Sequence, residues 1–177
     1  MIRLGKACGF ETHVVHEVQI DGLPVSSTRI RAAVGEGDME LAARLLGRPY
    51  ALCGVVEHGK QLGRRLDFPT ANLHWDRRKA LPPKGVYAAL AHVRGAQYPA
   101  AVNIGEHPTA PGGQMTVEAN LIGYDGGEFY GAHMRLMLCR RLRAEKKFDS
   151  LEALREEVMR NRAQTLAYFA AEADGRA

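Results

Sequence analysis

A rhythm of short extended runs broken by glycine and proline limits the folds open to this chain more than any other feature. Residues 52–56 form a short apolar run. Residues 85–94 and 97–104 form two longer ones joined at Gly95, which predicts a hairpin. Residues 115–124 alternate: Met115, Val117, Ala119 and Leu121 face one way, and Thr116, Glu118 and Asn120 the other. Asp125-Gly126-Gly127 reads as a turn, and a further strand runs from His133 to about Leu142. Between them lie a polar, proline-containing connection at 77–84 and a Gly- and Pro-rich loop at 105–113. Short strands with such turns predict a mainly β protein, a closed or nearly closed antiparallel barrel.

The period changes near the C-terminus. Leu151, Leu154, Val158, Leu166 and Phe169 give a roughly helical stripe, and Asp149 with Glu152 three residues on forms a capping arrangement. The expectation is a long amphipathic helix whose apolar stripe covers part of the barrel, with a frayed tail at 173–177.

The first fifty residues differ in character. Residues 12–20 are rich in β-branched side chains and predict a strand, followed by a turn at Asp21-Gly22-Leu23-Pro24. A short helix capped by Ser26 or Ser27 and ended by Gly35 comes next. A second runs from Met39 to Leu46, between Asp38 as cap and Gly47.

Composition excludes several classes. Hydrophobic residues make up 46% of the 177, enough for a core, and 25% charged residues with few low-complexity runs argue against disorder. The net charge of +4 suits anionic ligands such as nucleotides. Aromatic residues are only 7%, with no strand interleaving them with Lys and Arg, so no specific nucleic-acid binding is expected. Cys8, Cys53 and Cys139 are widely spaced and lack a Cys-x-x-Cys pair, which points to a reducing cytoplasm rather than disulfides or zinc. No apolar run approaches the length of a membrane span, and no signal peptide is recognised. An oligomer is compatible with the sequence.

Chemistry concentrates in His58 to Leu73. Gly59 and Gly63 permit tight turns, and Lys60, Arg64 and Arg65 supply positive charge. Thr70 and Asn72 stand two apart, so in an extended segment both point to one side. Oxygen ligands beside a basic loop suit a magnesium ion carrying a polyphosphate. Read alone, such a loop is more often a solvated turn than a site, and it lacks the Walker A order. Glu118, read alone, is more often a solvated outward residue on a half-exposed strand than a base.

A resemblance bears on these alternatives. Gly54-Val55-Val56, His58-Gly59, Gly63-Arg64 and Phe68-Pro69-Thr70-Ala71-Asn72-Leu73 resemble the start of the riboflavin kinase domain. Gly85-Val86-Tyr87, Asn103-Ile104-Gly105, Pro108-Thr109, Val117-Glu118, Phe129-Tyr130-Gly131 and the run from Leu142 to Leu151 follow in the family's order. The resemblance covers about residues 51–169 and implies a six-stranded Greek-key barrel with a long C-terminal helix. It implies ATP- and Mg²⁺-dependent phosphorylation of riboflavin to FMN, with ADP as the other product. Glu118 is then the general base, and Thr70 and Asn72 the metal ligands. Gly59, Lys60, Gly63, Arg64, Pro69, Thr70 and Asn72 hold the ATP phosphates, while Asn103, Gly105, Arg143, Glu145 and Phe148 contact the flavin.

Ser26-Ser27-Thr28-Arg29-Ile30-Arg31 resembles a motif near the end of the FMN adenylyltransferase domain that precedes the kinase in bifunctional enzymes. Residues 1–50 therefore read as a truncated α/β remnant of that domain, before a kinase domain at 51–172. Adenylyl transfer is not expected of this chain. The alternatives are a non-catalytic flavin- or nucleic-acid-binding barrel, and part of a bifunctional FAD synthetase.

Overall fold

The computed structural model describes residues 1–57, 70–106, 115–125 and 127–175. The chain begins with helix α1 (Ile2–Cys8) and a two-stranded ribbon, β1 (Gln19–Ile20) and β2 (Leu23–Pro24). Helices α2 (Ser27–Glu36) and α3 (Met39–Leu46) follow. Strands β3 (Tyr50–Glu57), β4 (Thr70–Trp75), β5 (Gly85–Val93), β6 (Ala96–Glu106), β7 (Met115–Leu121) and β8 (His133–Ala144) come next, and α4 (Leu151–Ala173) ends the fold.

The six later strands close into a barrel in the order β3-β4-β7-β6-β5-β8, every pairing antiparallel. β5, β6 and β7 are consecutive neighbours and β8 returns to lie beside β5, which is a Greek key. Alternation decides which residues fill the interior. Ala71, Leu73 and Trp75 point in from β4, Tyr87, Ala89 and Ala91 from β5, Val102 and Ile104 from β6, and Val117, Ala119 and Leu121 from β7. The many alanines leave room for Trp75 and Tyr87, as a small barrel's tapered interior requires. The β5–β6 hairpin turns through Arg94 (φ 51°) and Gly95 (φ 80°), the two left-handed residues of a tight hairpin loop.

The N-terminal expectations need correction. Only Gln19 and Ile20 of the predicted 12–20 strand are extended in a pairing, and Leu23-Pro24 is their partner strand rather than part of the turn. Val14, Val15 and Val18 are 64%, 89% and 63% exposed. β-Branched content alone does not make a strand; it needs a paired neighbour and a face to bury. α2 does not stop at Gly35. It continues to Glu36 and ends at Gly37 (φ 81°), whose N–H donates to the carbonyls of Ala33 and Val34. The cap positions Ser26, Asp38 and Gly47 are as expected.

α2 and α3 share the barrel's core rather than forming a separate layer. Ala33, Val34, Met39, Ala42 and Leu45 are buried in the same cluster as the strands, and Glu40 of α3 pairs with Arg140 of β8. Arg29, in the Ser26–Arg31 motif, donates from Nη1 to the carbonyls of Ile20 (2.8 Å) and Leu23 (2.9 Å), clamping the ribbon to α2.

α4 departs most from expectation. Its N-cap is Ser150, whose hydroxyl accepts from the Ala153 N–H, and not Asp149. Helix persists to Ala173, and the Asp174 N–H donates to the Ala170 carbonyl (3.1 Å). Leu151 and Leu166, placed in the predicted apolar stripe, are 49% and 47% exposed. The buried residues are Glu157, Asn161 and Thr165, one polar row at i, i+4 and i+8. The row is tolerated because partners satisfy it: the Thr165 hydroxyl donates to the Asn161 carbonyl (2.8 Å), and Glu157 and Asn161 meet arginines.

Candidate active site

The inward residues of β4, β7 and β6 fill the core, so their alternates face outward onto a common surface. Register aligns them. Asn72 stands opposite Glu118, Glu118 opposite Asn103, Asn103 opposite Val86, and Val86 opposite Arg143. One step away, Thr70 stands opposite Asn120 and Asn120 opposite Ala101. Directly opposed residues on an antiparallel pair have Cβ atoms about 5 Å apart. Thr70, Asn72 and Glu118 thus share one face within a two-strand patch.

Arg143 reaches this row through an irregularity. Tyr87 pairs with Arg141 but Val86 pairs with Arg143, so Leu142 is an extra residue on β8. Without that bulge, Leu142 and not Arg143 would lie opposite Val86. A bulge re-aims a side chain in just this way. Gly85, at the bulge, is pressed against β8: a Cβ there would come within 2.3 Å of the Arg143 carbonyl.

α4 lies over β5 and β6, and the 145–148 segment closes the side, leaving a cavity of about 260 Å³. Thr70, Asn103, Glu118 and Asn120 line its β4–β7–β6 end. Val86, Ala101, Phe148, Leu154 and Val158 supply apolar lining, and Arg143, Glu145, Lys146 and Asn161 complete it. Arg143 lies with Cζ 5.7 Å from the Phe148 ring centroid, and Lys146 Nζ 5.5 Å from the same ring. Arg162 of α4 donates from Nη1 to Asn120 Oδ1 (2.6 Å), tying the roof to the residue opposite Thr70.

Of the residues singled out from sequence, Thr70, Asn103, Glu118, Arg143, Glu145 and Phe148 line the cavity. Asn72 stands beside it, opposite Glu118. Gly105 borders Glu145, whose Oε1 would be 2.5 Å from a Cβ on Gly105. Gly59, Lys60, Gly63, Arg64 and Pro69 lie outside the described residues. Tyr87 is fully buried in the core, as a packing residue, and Tyr130 packs against it. Asn120, Glu157 and Asn161 were not singled out. Asn120 had a signal, since it alternates with Glu118 on the same face. Glu157, Asn161 and Thr165 had one too, in their shared four-residue spacing.

The donor set at the strand end is a hydroxyl, an amide and a carboxylate, all hard oxygen donors of the kind Mg²⁺ accepts when phosphate and water complete its shell. Among the described residues no three His, Cys, Asp or Glu side chains converge into a metal cage, so the fit is to a cation with few protein ligands. No helix is long and apolar enough to cross a membrane among the described residues.

Comparison with known proteins bears on what this arrangement is. A bifunctional riboflavin kinase/FMN adenylyltransferase from Pseudomonas fluorescens is 40% identical over 151 residues, covering 85% of this chain and 48% of that protein. One from Bacillus subtilis is 39% identical over 148 residues, covering 82% of this chain and 46% of that protein. This chain thus spans about half the length of the curated relatives it matches. A crystal structure of a macrolide-efflux protein from Streptococcus pneumoniae superposes with a TM-score of 0.82 at 31% identity, covering 92% of this chain and 53% of that one. Riboflavin kinase from Trypanosoma brucei superposes with a TM-score of 0.52 at 29% identity, covering 69% of this chain and 80% of that one. The riboflavin kinase (flavokinase) family model matches residues 46–169, and the chain belongs to that family.

Proposed function

We propose that this chain transfers the γ-phosphoryl group of ATP to the 5′-hydroxyl of riboflavin, giving FMN and ADP, in the cytoplasm. The observation that carries this is the row Asn72–Glu118–Asn103 beside Thr70, at a cavity that also carries Phe148 and apolar aliphatic side chains. A flavin ring fits the Phe148 end, and its ribityl chain then runs toward Glu118.

Glu118 accepts the proton of the 5′-hydroxyl. The freed oxygen bonds to the γ-phosphorus, and the bond from that phosphorus to the β,γ-bridging oxygen breaks, releasing ADP. Thr70 and Asn72 hold the divalent cation, which when bound neutralises charge on the phosphate oxygens. The basic glycine segment with Gly59, Lys60, Gly63, Arg64 and Pro69 covers the phosphates. Arg143 and Phe148 orient the flavin, with Asn103, Gly105 and Glu145 at its edge.

Incubation with riboflavin, ATP and Mg²⁺, followed by chromatography, should yield FMN. Absence of FMN with or without Mn²⁺ in place of Mg²⁺ would overturn the reading. Supplying FMN and ATP and scoring FAD and pyrophosphate tests adenylyl transfer, and no FAD is expected.

A further inference from the structure

Glu157 is a carboxylate at mid-helix on α4, with its side chain only 9% exposed against the barrel. Such burial opposes folding unless the charge is compensated, and even a compensated pair contributes little net stability. Its neighbours explain what it does there. Glu157 Oε1 lies 3.2 Å from Arg143 Nε, and Oε2 accepts from Arg160 Nη1 at 2.9 Å. Asn161, one turn on, accepts from the same Arg143 Nε at 3.2 Å. Arg143 Nη1 donates to the Ala144 carbonyl (3.0 Å). Among the described residues Nη2 makes no hydrogen bond, and Arg143 lines the cavity above Phe148.

We infer that Glu157 is a positioning residue: its buried carboxylate, assisted by Asn161, holds the Arg143 guanidinium at Nε and leaves Nη2 for the ligand. An arginine on a strand, bulged out toward solvent, has several rotamers within reach. An ion pair to Glu157 and a hydrogen bond to Asn161 at one nitrogen, with a ring beneath, select one. The inference rests on reading the cavity as the flavin site, since only then does the orientation of Arg143 act on riboflavin rather than on ATP.

The Nε geometry supplies its own test. Asn161 Oδ1 and Glu157 Oε1 are equally distant from Arg143 Nε. A carboxylate moved from one to the other should therefore do the same work. In the full chain, Glu157→Gln should raise KM for riboflavin about tenfold while leaving KM for ATP unchanged. The double variant Glu157→Gln/Asn161→Asp should restore it. The Arg143 ¹⁵Nε–H resonance, identified by its loss in Arg143→Lys, should broaden in the single variant and sharpen again in the double. A purely structural role predicts lowered melting temperature in the single variant with both KM values unchanged and the resonance intact, and that result overturns the inference. If the wild-type chain neither binds nor phosphorylates riboflavin, the flavin reading falls by itself. The resonance then decides for or against Glu157 on its own.

Discussion

The cavity has two walls built on different logic. On the strand wall, Thr70, Asn103, Glu118 and Asn120 face the ligand space because their neighbours Ala71, Ile104, Val117 and Ala119 face the core. A period of two leaves each side chain one alternative, and burial of the apolar set decides it. On the helix wall, Glu157 and Asn161 face inward while Leu151 and Leu166 face water. A helix has no such binary choice. Its rotation is set by whatever surface it lies on, and here that surface displays Asn103, Glu118, Asn120 and Arg143 beside the apolar Val86 and Ala101. The difference teaches that a mixed opposing layer seats polar and apolar residues of one helix together, Glu157 and Asn161 buried beside Leu154 and Val158.

The strand wall can be broken most severely at Glu118. Glu118→Gln keeps shape and hydrogen-bonding capacity but cannot accept the hydroxyl proton. Turnover should fall by about two to four orders of magnitude, with riboflavin and ATP binding largely kept. Steady-state rates beside flavin-fluorescence titrations measure both. Full turnover in this variant would mean that the carboxylate does not act as the base, and the row of register partners would be a structural feature only.

Asn161 is the corresponding point on the helix wall. It is 3% exposed and its amide oxygen accepts from Arg143. Were that wall apolar, Asn161→Leu would be neutral or stabilising. With Arg143 beneath it, the substitution removes a hydrogen bond to a charged group and should cost about 1.5–3 kcal/mol in urea unfolding. An unchanged midpoint would erase the contrast between the walls.

The parts of the molecule visible in the sequence are those that alternation governs. The alternation of 115–124 that sends Glu118 outward and the shared side of Thr70 and Asn72 follow from it. Five of the six strands, with the hairpin at Gly95, follow from extended runs between turn residues, and the sixth was implied by the family resemblance alone. Three features did not follow. The bulge that delivers Arg143 depends on Leu142 having no partner across from β5, which no local pattern marks. The 12–20 segment has strand-forming side chains but only a two-residue partner, a tertiary fact. The packing of α2 and α3 into the barrel's core was hidden by the change of character near residue 50, which suggested a boundary where Met39, Ala42 and Leu45 instead continue the core. The similarity to a solved chain over 92% of this one extends past the barrel and α4, in keeping with α2 and α3 as regular parts of this arrangement.

The mildest test concerns Leu166, which with Leu151 faces water while Leu154 and Val158 of the same stripe line the cavity. A leucine buried against a barrel loses about 2–5 kcal/mol on truncation to alanine, from lost transfer energy and the cavity left behind. Leu166 is 47% exposed, so most of that loss does not apply. Alanine is also the better helix former, which offsets part of the remainder. Leu166→Ala should therefore shift stability by no more than about 0.5 kcal/mol, read from the urea midpoint at constant m-value. The value matters because of its neighbour: Thr165, one residue before it, is fully buried. A loss of several kcal/mol at Leu166 would require the helix to be rotated by roughly the 100° that separates adjacent residues, taking Glu157 and Asn161 away from Arg143.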